Sequence, residues 1–439
     1  MLFVSIARPE FIPHSSVAIE LRLDLFPQID LESIKNLIQN TTVMLTLRRT
    51  AQRTESEREA LIERLLDLEP PFFDLESDMR PQFLHAAIKK YPKTEFVLSY
   101  HNFEGIPADL DQIYREMAKY EAFSYKIAVM VHSTNEAVRM LLFAKKHPKT
   151  SMICMGESGS FARALGPVVG NLVDYAAVDA QERTGPGQLT AEELMDIYHY
   201  PSLNRETAIY GLIGDPVEKS PGHIYHNGVF QKRGLNAVYV KMGVKPEELA
   251  EFIALAKEIG IRGLSVTIPL KEKILPCIDG PAGPIGAINT LRFHNGQITG
   301  TNTDGRGALD AIEKKIPVRG KKVVLLGAGG AARGIAFEAK ARGAHVLVLN
   351  RTVQKAKELG YEAGGLDEVP DDYDILINCS PMSIDPGTIR PKTVAMDVVY
   401  APRETEFLKA ADAKGCQIVY GEEMFLNQAA LQTAFWVGV

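Results

Sequence analysis

Two lysines in this chain sit in runs where an amine makes little sense unless it reacts. Lys126 lies inside the apolar stretch Ser124-Tyr125-Lys126-Ile127-Ala128-Val129-Met130. Burial lowers the pKa of an ammonium and frees an amine that can attack a carbonyl, so the position fits imine chemistry. A nearby run ends in Ser99-Tyr100-His101. In the second half, Lys271 closes Ser265-Val266-Thr267-Ile268-Pro269-Leu270-Lys271, and Thr301-Asn302-Thr303-Asp304-Gly305 follows. One polypeptide therefore carries two sets of specialised residues in tandem.

The second set is followed by a nucleotide signature. The apolar strand Lys322-Val323-Val324-Leu325-Leu326 runs into Gly327-Ala328-Gly329-Gly330-Ala331-Ala332 and then a helical stretch. Small residues there let the backbone approach a pyrophosphate at a helix N-terminus. A further strand, His345–Leu349, ends in Asn350-Arg351-Thr352. An NAD site places an acid at that point, whereas neutral donors and a cation suit a 2′-phosphate, so NADP is the expected cofactor.

The first set needs a scaffold that gathers residues scattered along the chain. Short apolar runs recur near 2–6, 17–23, 43–48, 72–76, 95–101, 125–130, 151–156 and 174–178, with separators such as Leu61, Leu65, Leu68 and Leu110, Ile113, Met117 showing helical spacing. This pattern predicts a (β/α)8 barrel with a trimmed first helix, since 8–16 is short and broken by proline. Catalytic groups of such barrels sit at the C-terminal strand ends, where Glu20, Arg22, Arg48, His101 and Lys126 fall, with Arg163 and Gln188 in the last loops. Glu20, Arg22 and Asp24 alternating with leucines would also describe a solvated strand face.

Composition bounds the rest. The chain has 439 residues, 46% hydrophobic and 24% charged, with a net charge of −6. These values fit a soluble globular protein of about three domains, without basic blocks for nucleic acid or an apolar run of roughly 18 residues for a membrane. The four cysteines, Cys154, Cys277, Cys379 and Cys416, form no zinc-type spacing and read as reduced packing thiols, so no metal is expected. The first residues hold no signal-type segment, which makes the cytoplasm the expected location.

The motifs Glu20-Leu21-Arg22-Leu23-Asp24, Leu98-Ser99-Tyr100-His101-Asn102-Phe103, Tyr125 to Met130, Met155-Gly156 with Arg163, and Gly185-Pro186-Gly187-Gln188 resemble type I 3-dehydroquinate dehydratase. That resemblance implies a Schiff base at Lys126, His101 as the proton-transfer group, and substrate binding by Ser5, Glu20, Arg22, Arg48, Arg163, Thr184 and Gln188. One departure is Gln52, where the family usually has a glutamate that orients the histidine. A slower reaction or a lower histidine pKa is expected from it.

Gly214 to Pro221, Ser265 to Lys271, Gly286 to Thr290, Thr301 to Gly305, Asp397 to Pro402 and Gly421 to Gln428 resemble shikimate dehydrogenase. The resemblance implies Lys271 and Asp304 as the catalytic pair. It assigns Ser220, Thr267, Asn289, Tyr400 and Gln428 to substrate, and Gly327, Ala328, Gly329, Gly330, Ala331, Asn350, Arg351, Thr352 and Met424 to NADP. The family's second serine is replaced by Gly222, leaving His223 or Tyr225 to assist with the carboxylate.

The expected organisation is a dehydratase barrel over 1–203, a substrate-binding domain over 208–306 to which a helix at 421–439 returns, and a Rossmann NADP domain over 307–420, with 199–206 as a linker. The expected activity converts 3-dehydroquinate to 3-dehydroshikimate and then to shikimate, on small-molecule substrates and without an obligate protein partner. A non-catalytic metabolite sensor, or physiological oxidation of quinate or shikimate, are the competing readings.

Overall fold

The computed structural model describes residues 1–12, 17–281, 283–380 and 385–438. By internal contacts they fall into two compact units. The first is Met1–Ala208 with Asn227–Met242 and Ala254–Gly260, and the second is Ile209–His226, Gly243–Ile253 and Ile261–Val439. Among the described residues no helix is long and apolar enough to cross a membrane.

Within Met1–Ala208 of the first unit one sheet has eight strands: β1 (Leu2–Ile6), β2 (Ile19–Arg22), β3 (Val43–Thr46), β4 (Phe72–Glu76), β5 (Glu95–Asn102), β6 (Ser124–Met130), β7 (Thr150–Met155) and β8 (Asp174–Ala177). Their order is β7-β6-β5-β4-β3-β2-β1-β8, and the printed ladders are parallel throughout. Ser151 and Asn171 span the seam between β7 and β8. Ser151 Oγ accepts from the backbone N–H of Leu172 (3.1 Å) and Val173 (3.0 Å). The Asn171 amide accepts from Met152 N (3.0 Å) and donates to Met152 O (3.1 Å), reproducing a strand neighbour with a side chain.

Successive side chains on a strand alternate faces, and the interior face here carries apolar residues low in the barrel. Phe3, Met44, Phe72, Val97 and Tyr175 pack together. Two residues onward on the same faces stand Ser5, Thr46, Asp74 and Ser99, so period two itself lifts polar groups above an apolar plug. Between β1 and β2 the described residues form only a 3₁₀ turn, Pro9–Phe11, in keeping with a trimmed first helix; residues 13–16 of that segment lie outside the described ones.

Two local readings need correction. The helix Glu55–Leu66 starts at a capping box of Thr54 and Glu57, buries Ile62, Leu65 and Leu66, and ends before Leu68 with Asp67 as its C-cap. The segment at 199–206 is also more than a tether. Tyr200 is buried, and its hydroxyl donates to Asp174 Oδ2 at 2.9 Å after a π-helical turn, Glu193–Ile197.

The remaining strands are β9 (Ala208–Gly214), β10 (Ala237–Gly243), β11 (Ile261–Val266), β12 (Thr290–His294), β13 (Gln297–Thr301), β14 (Lys322–Leu326), β15 (His345–Leu349), β16 (Glu362–Gly364), β17 (Ile375–Asn378), β18 (Val394–Asp397) and β19 (Gln417–Val419). In the second unit β9, β11, β12 and β13 lie side by side, parallel at β9/β11 and antiparallel beyond. A second sheet has the order β16-β15-β14-β17-β18-β19, parallel throughout. That is the doubly wound order of dinucleotide-binding folds. Both its faces are covered: Val323 and Leu325 pack with Ile335 and Ala339, and Val324 and Leu326 with Phe407 and Leu408. The helix Asp304–Ile312 runs across residues 306 and 307. The helix Gly421–Val437 packs along it and reaches β11 and β12, where Ser265 Oγ donates to Gln432 (2.8 Å) and Trp436 Nε1 to Leu291 O (2.8 Å).

Candidate active sites

At the C-terminal end of the barrel, Ser5, Glu20, Arg22, Arg48, His101, Lys126, Arg163, Thr184 and Gln188 line one cavity of about 420 Å³, within the range of small-molecule sites. Arg48 follows the end of β3 rather than lying on it. Lys126 shares the interior face of β6 with Ala128 and is only 6% exposed. Its Nζ lies 3.2 Å from Asp74 Oδ2 and 3.8 Å from Glu20 Oε1. Burial pulls the Lys126 ammonium down, and these two carboxylates oppose it. Burial also drives His101 well below the ordinary imidazole value, reinforced by the charges of Arg48 and Lys126. Both effects favour the neutral imidazole.

Asp74 was missed by sequence reasoning and lies buried behind the cavity lining, bonded to Arg48 and Lys126, which do line it. It is 2% exposed and is bound by Arg48 through two bonds (2.8 and 2.6 Å), by Ser99 Oγ (2.6 Å) and by Lys126. Burial pushes its carboxyl up, but Arg48 and Lys126 hold it well below the usual carboxylate range. The available signal was a single acid in Phe72-Phe73-Asp74-Leu75. Glu20 accepts from Ser5 (2.6 Å) and Thr46 (2.9 Å). Gln52, expected beside the histidine, is exposed and does not line the cavity. Asp74 is the carboxylate that acts on His101.

The three cavity arginines are not equivalent. Arg22 is bound by Asp24 through Nε (3.0 Å) and NH2 (2.8 Å), and Arg48 by Asp74. Arg163 is 7% exposed and donates to Pro186 O (3.0 Å), while its Nε has no hydrogen-bond partner among the described residues. Burial lowers its guanidinium to about 10. Beside it, Thr184 N and Oγ1 donate to Gln188 Oε1 (2.8 and 3.1 Å), leaving the Gln188 NH₂ group to donate elsewhere.

In the second unit the turn after β11 brings Lys271 Nζ to 2.5 Å from Asp304 Oδ2 at the start of the helix Asp304–Ile312. Asn289 Nδ2 donates to Asp304 Oδ1 (2.8 Å) and Thr303 Oγ1 (2.9 Å) and lies 3.3 Å from Gln428 Oε1. Asp304 is thus fixed from both sides. Thr267 is half-buried at the end of β11. The Tyr400 phenol is pushed up by burial, against a hydrogen bond with Ser220. Ser220 Oγ also accepts from Gly222 N at 3.2 Å, so the glycine contributes a backbone donor to that hydroxyl.

The glycine loop joins β14 to the helix Gly330–Ala341. Gly327 has φ +119, a backbone conformation that side chains disfavour, and a Cβ there would meet Cys379 backbone at 3.2 Å. A Cβ at Gly330 would stand 3.0 Å from the Lys271 side chain. The bare loop therefore adjoins the lysine. Asn350 Nδ2 donates to Thr352 O (2.9 Å), Arg351 is exposed, and Met424 is buried. The Cys379 thiol is pushed up by burial and packs against the sheet core, which fits a packing role. Among the described residues no cluster of His, Cys, Asp or Glu could hold a metal.

Models of three families match successive parts of the chain: type I 3-dehydroquinase over residues 10–205, the shikimate dehydrogenase substrate binding domain over 212–291, and shikimate/quinate 5-dehydrogenase over 310–379. Fold and site together define the class as an enzyme that joins a lyase to an oxidoreductase. The chain is 36% identical over 434 residues to the shikimate biosynthesis protein AroDE of Chlamydia pneumoniae, covering 95% of this chain and 89% of that one. It is 31% identical to the chloroplastic bifunctional 3-dehydroquinate dehydratase/shikimate dehydrogenase of Arabidopsis thaliana, covering 96% and 77%. This chain belongs to the bifunctional type I 3-dehydroquinate dehydratase/shikimate dehydrogenase family. Among solved structures, shikimate dehydrogenase of Aquifex aeolicus matches at TM-score 0.51 and 34% identity, covering 54% of this chain and 95% of that one. That of Thermus thermophilus, in complex with NADP(H) and shikimate, matches at 0.50 and 32%, covering 53% and 94%.

Proposed function

We propose that the barrel dehydrates 3-dehydroquinate through an imine on Lys126, with His101 moving the protons. Arg163, with Thr184 and Gln188, receives the substrate carboxylate, because Arg22 and Arg48 are already committed to Asp24 and Asp74. The Lys126 amine adds to the ketone, and water leaves as the C=N bond forms. The protonated imine is a stronger electron sink than the ketone and acidifies the adjacent C–H. His101 takes that proton and returns it to the departing hydroxyl, and water then releases 3-dehydroshikimate from the lysine. Ser5, Glu20, Arg22 and Arg48 hold the ring hydroxyls.

The second unit reduces 3-dehydroshikimate to shikimate. NADPH supplies the hydride when bound. Gly327 to Ala331 would hold its pyrophosphate, Asn350, Arg351 and Thr352 would receive the adenosine phosphate, and Met424 would contribute to the cofactor site. Lys271 donates a proton to the carbonyl oxygen as that carbon becomes an alcohol, and Asp304 holds the lysine nitrogen in place. Ser220, Thr267, Asn289, Tyr400 and Gln428 hold the ring, with the Gly222 N–H orienting Ser220.

The observation that carries this reading is a buried amine beside Asp74 in the same cavity as a depressed histidine. Borohydride added with 3-dehydroquinate is expected to fix a reduced adduct on Lys126, located by peptide mass spectrometry. An unmodified Lys126 peptide, with turnover intact, would overturn the imine assignment.

A further inference from the structure

The Nζ of Lys126 lies 3.7 Å from the centroid of the Tyr175 ring, nearer than it lies to Glu20. Tyr175 is on β8, 5% exposed, in register with Phe3 on β1. Phe3 stacks on it (6.3 Å between centroids, 30° between planes) and is itself met edge-on by Phe72 (5.3 Å). The Tyr175 hydroxyl points to Met44 Sδ at 3.5 Å. The ring is therefore wedged, with its face turned to the lysine nitrogen.

The carboxylates near this nitrogen are shared. Asp74 accepts two bonds from Arg48 and one from Ser99, and Glu20 accepts from Ser5 and Thr46. Their interaction with Lys126 also depends on N–H groups. Imine formation leaves a single N–H on a flat, delocalised cation. An aromatic face attracts either cation through its quadrupole and takes no proton from it.

We propose that Tyr175 is a further catalytic residue of the dehydratase, its ring face stabilising the protonated imine on Lys126. This rests on the imine reading above. Lys126 gives up its ammonium proton before it attacks, and that proton leaves with the carbonyl oxygen as water when the N–C bond forms and the C–O bond breaks; the positive charge then returns on the imine nitrogen over the ring, and Tyr175 gives and receives no proton. Burial pushes the Tyr175 phenol well up, so the ring remains neutral throughout.

The test varies the face and preserves the shape. Tyr175→Phe, Tyr175→Leu and Tyr175 replaced by 3,4,5-trifluorophenylalanine are compared for borohydride-trapped adduct on Lys126, kcat and KM. Phe keeps the ring face and is expected to remain within about threefold of wild type in adduct yield and kcat. Leu is expected to lose about tenfold or more, and the fluorinated ring, matched to Phe in shape but with its face depleted of negative potential, to fall between them. KM is expected to move less than kcat, because the carboxylate seat at Arg163 is untouched. If the fluorinated and Phe variants trap and turn over equally, the ring is only packing and the proposal is overturned, whatever Leu does to folding. Wild type without any adduct would remove the imine reading and this proposal together. An adduct in wild type with equal yields across the rings removes the proposal alone.

Discussion

His101 shares its cavity with two cations, Arg48 and Lys126, and burial is the larger influence on it. All three disfavour the imidazolium, and Asp74 offsets them only in part. Because the proposed dehydration uses the neutral histidine as its base, the acid limb of dehydratase kcat/KM is expected below pH 6.5, the ordinary imidazole value. A limb at or above that value in a pH–rate profile would show that the histidine is not desolvated in this way. At this scale the sequence was informative where a polar residue interrupts an apolar strand at its C-terminal end. Ser5, Glu20, Arg22, Arg48, His101, Lys126, Arg163, Thr184 and Gln188 share one cavity lining, and Gln52 is not among them. Asp74 escaped because one acid in a strand reads equally as a rim residue, and only β4's inward phase shows that it faces Lys126 and Arg48. Gln52 lies outside the cavity lining: a position read from a neighbouring motif says nothing of which way a loop side chain turns.

The elements that position the site include one under electrostatic load. Asp174 opens β8, accepts from Asn171 (2.7 Å) and Tyr200 (2.9 Å), and is raised by burial to about 6 despite both bonds. A carboxyl whose folded pKa exceeds its unfolded value contributes stability that is complete below the unfolded pKa and lost as pH rises through the folded one. Wild-type barrel stability is therefore expected to fall between about pH 4 and 7 by on the order of 2 kcal/mol relative to Asp174→Asn, which has no such titration. Parallel stability curves in chemical denaturation at the two pH values would contradict this. The eight strands were legible because apolar runs and separators alternate. The seam was not, because Ser151 and Asn171 close β7 to β8 with side chains, a pairing no hydropathy pattern encodes. Tyr200 was hidden similarly: a polar, proline-containing stretch reads as a linker, although one aromatic hydroxyl ties it to a buried acid.

For the whole molecule, the two units carry chemistries in which the product of one site has the functional groups the other requires. The glycine loop and its sheet were foreshadowed by a local strand–turn–helix motif, whereas Lys271 and Asp304, 33 residues apart, were joined only through the resemblance to shikimate dehydrogenase. The central claim is that both sites work on one chain. It is tested most directly by adding 3-dehydroquinate alone to the purified protein with NADPH and following absorbance of the reduced cofactor. Oxidation of NADPH is expected in wild type, with Lys126→Ala losing it and regaining it when 3-dehydroshikimate is supplied. Oxidation that requires supplied 3-dehydroshikimate even in wild type would contradict the account.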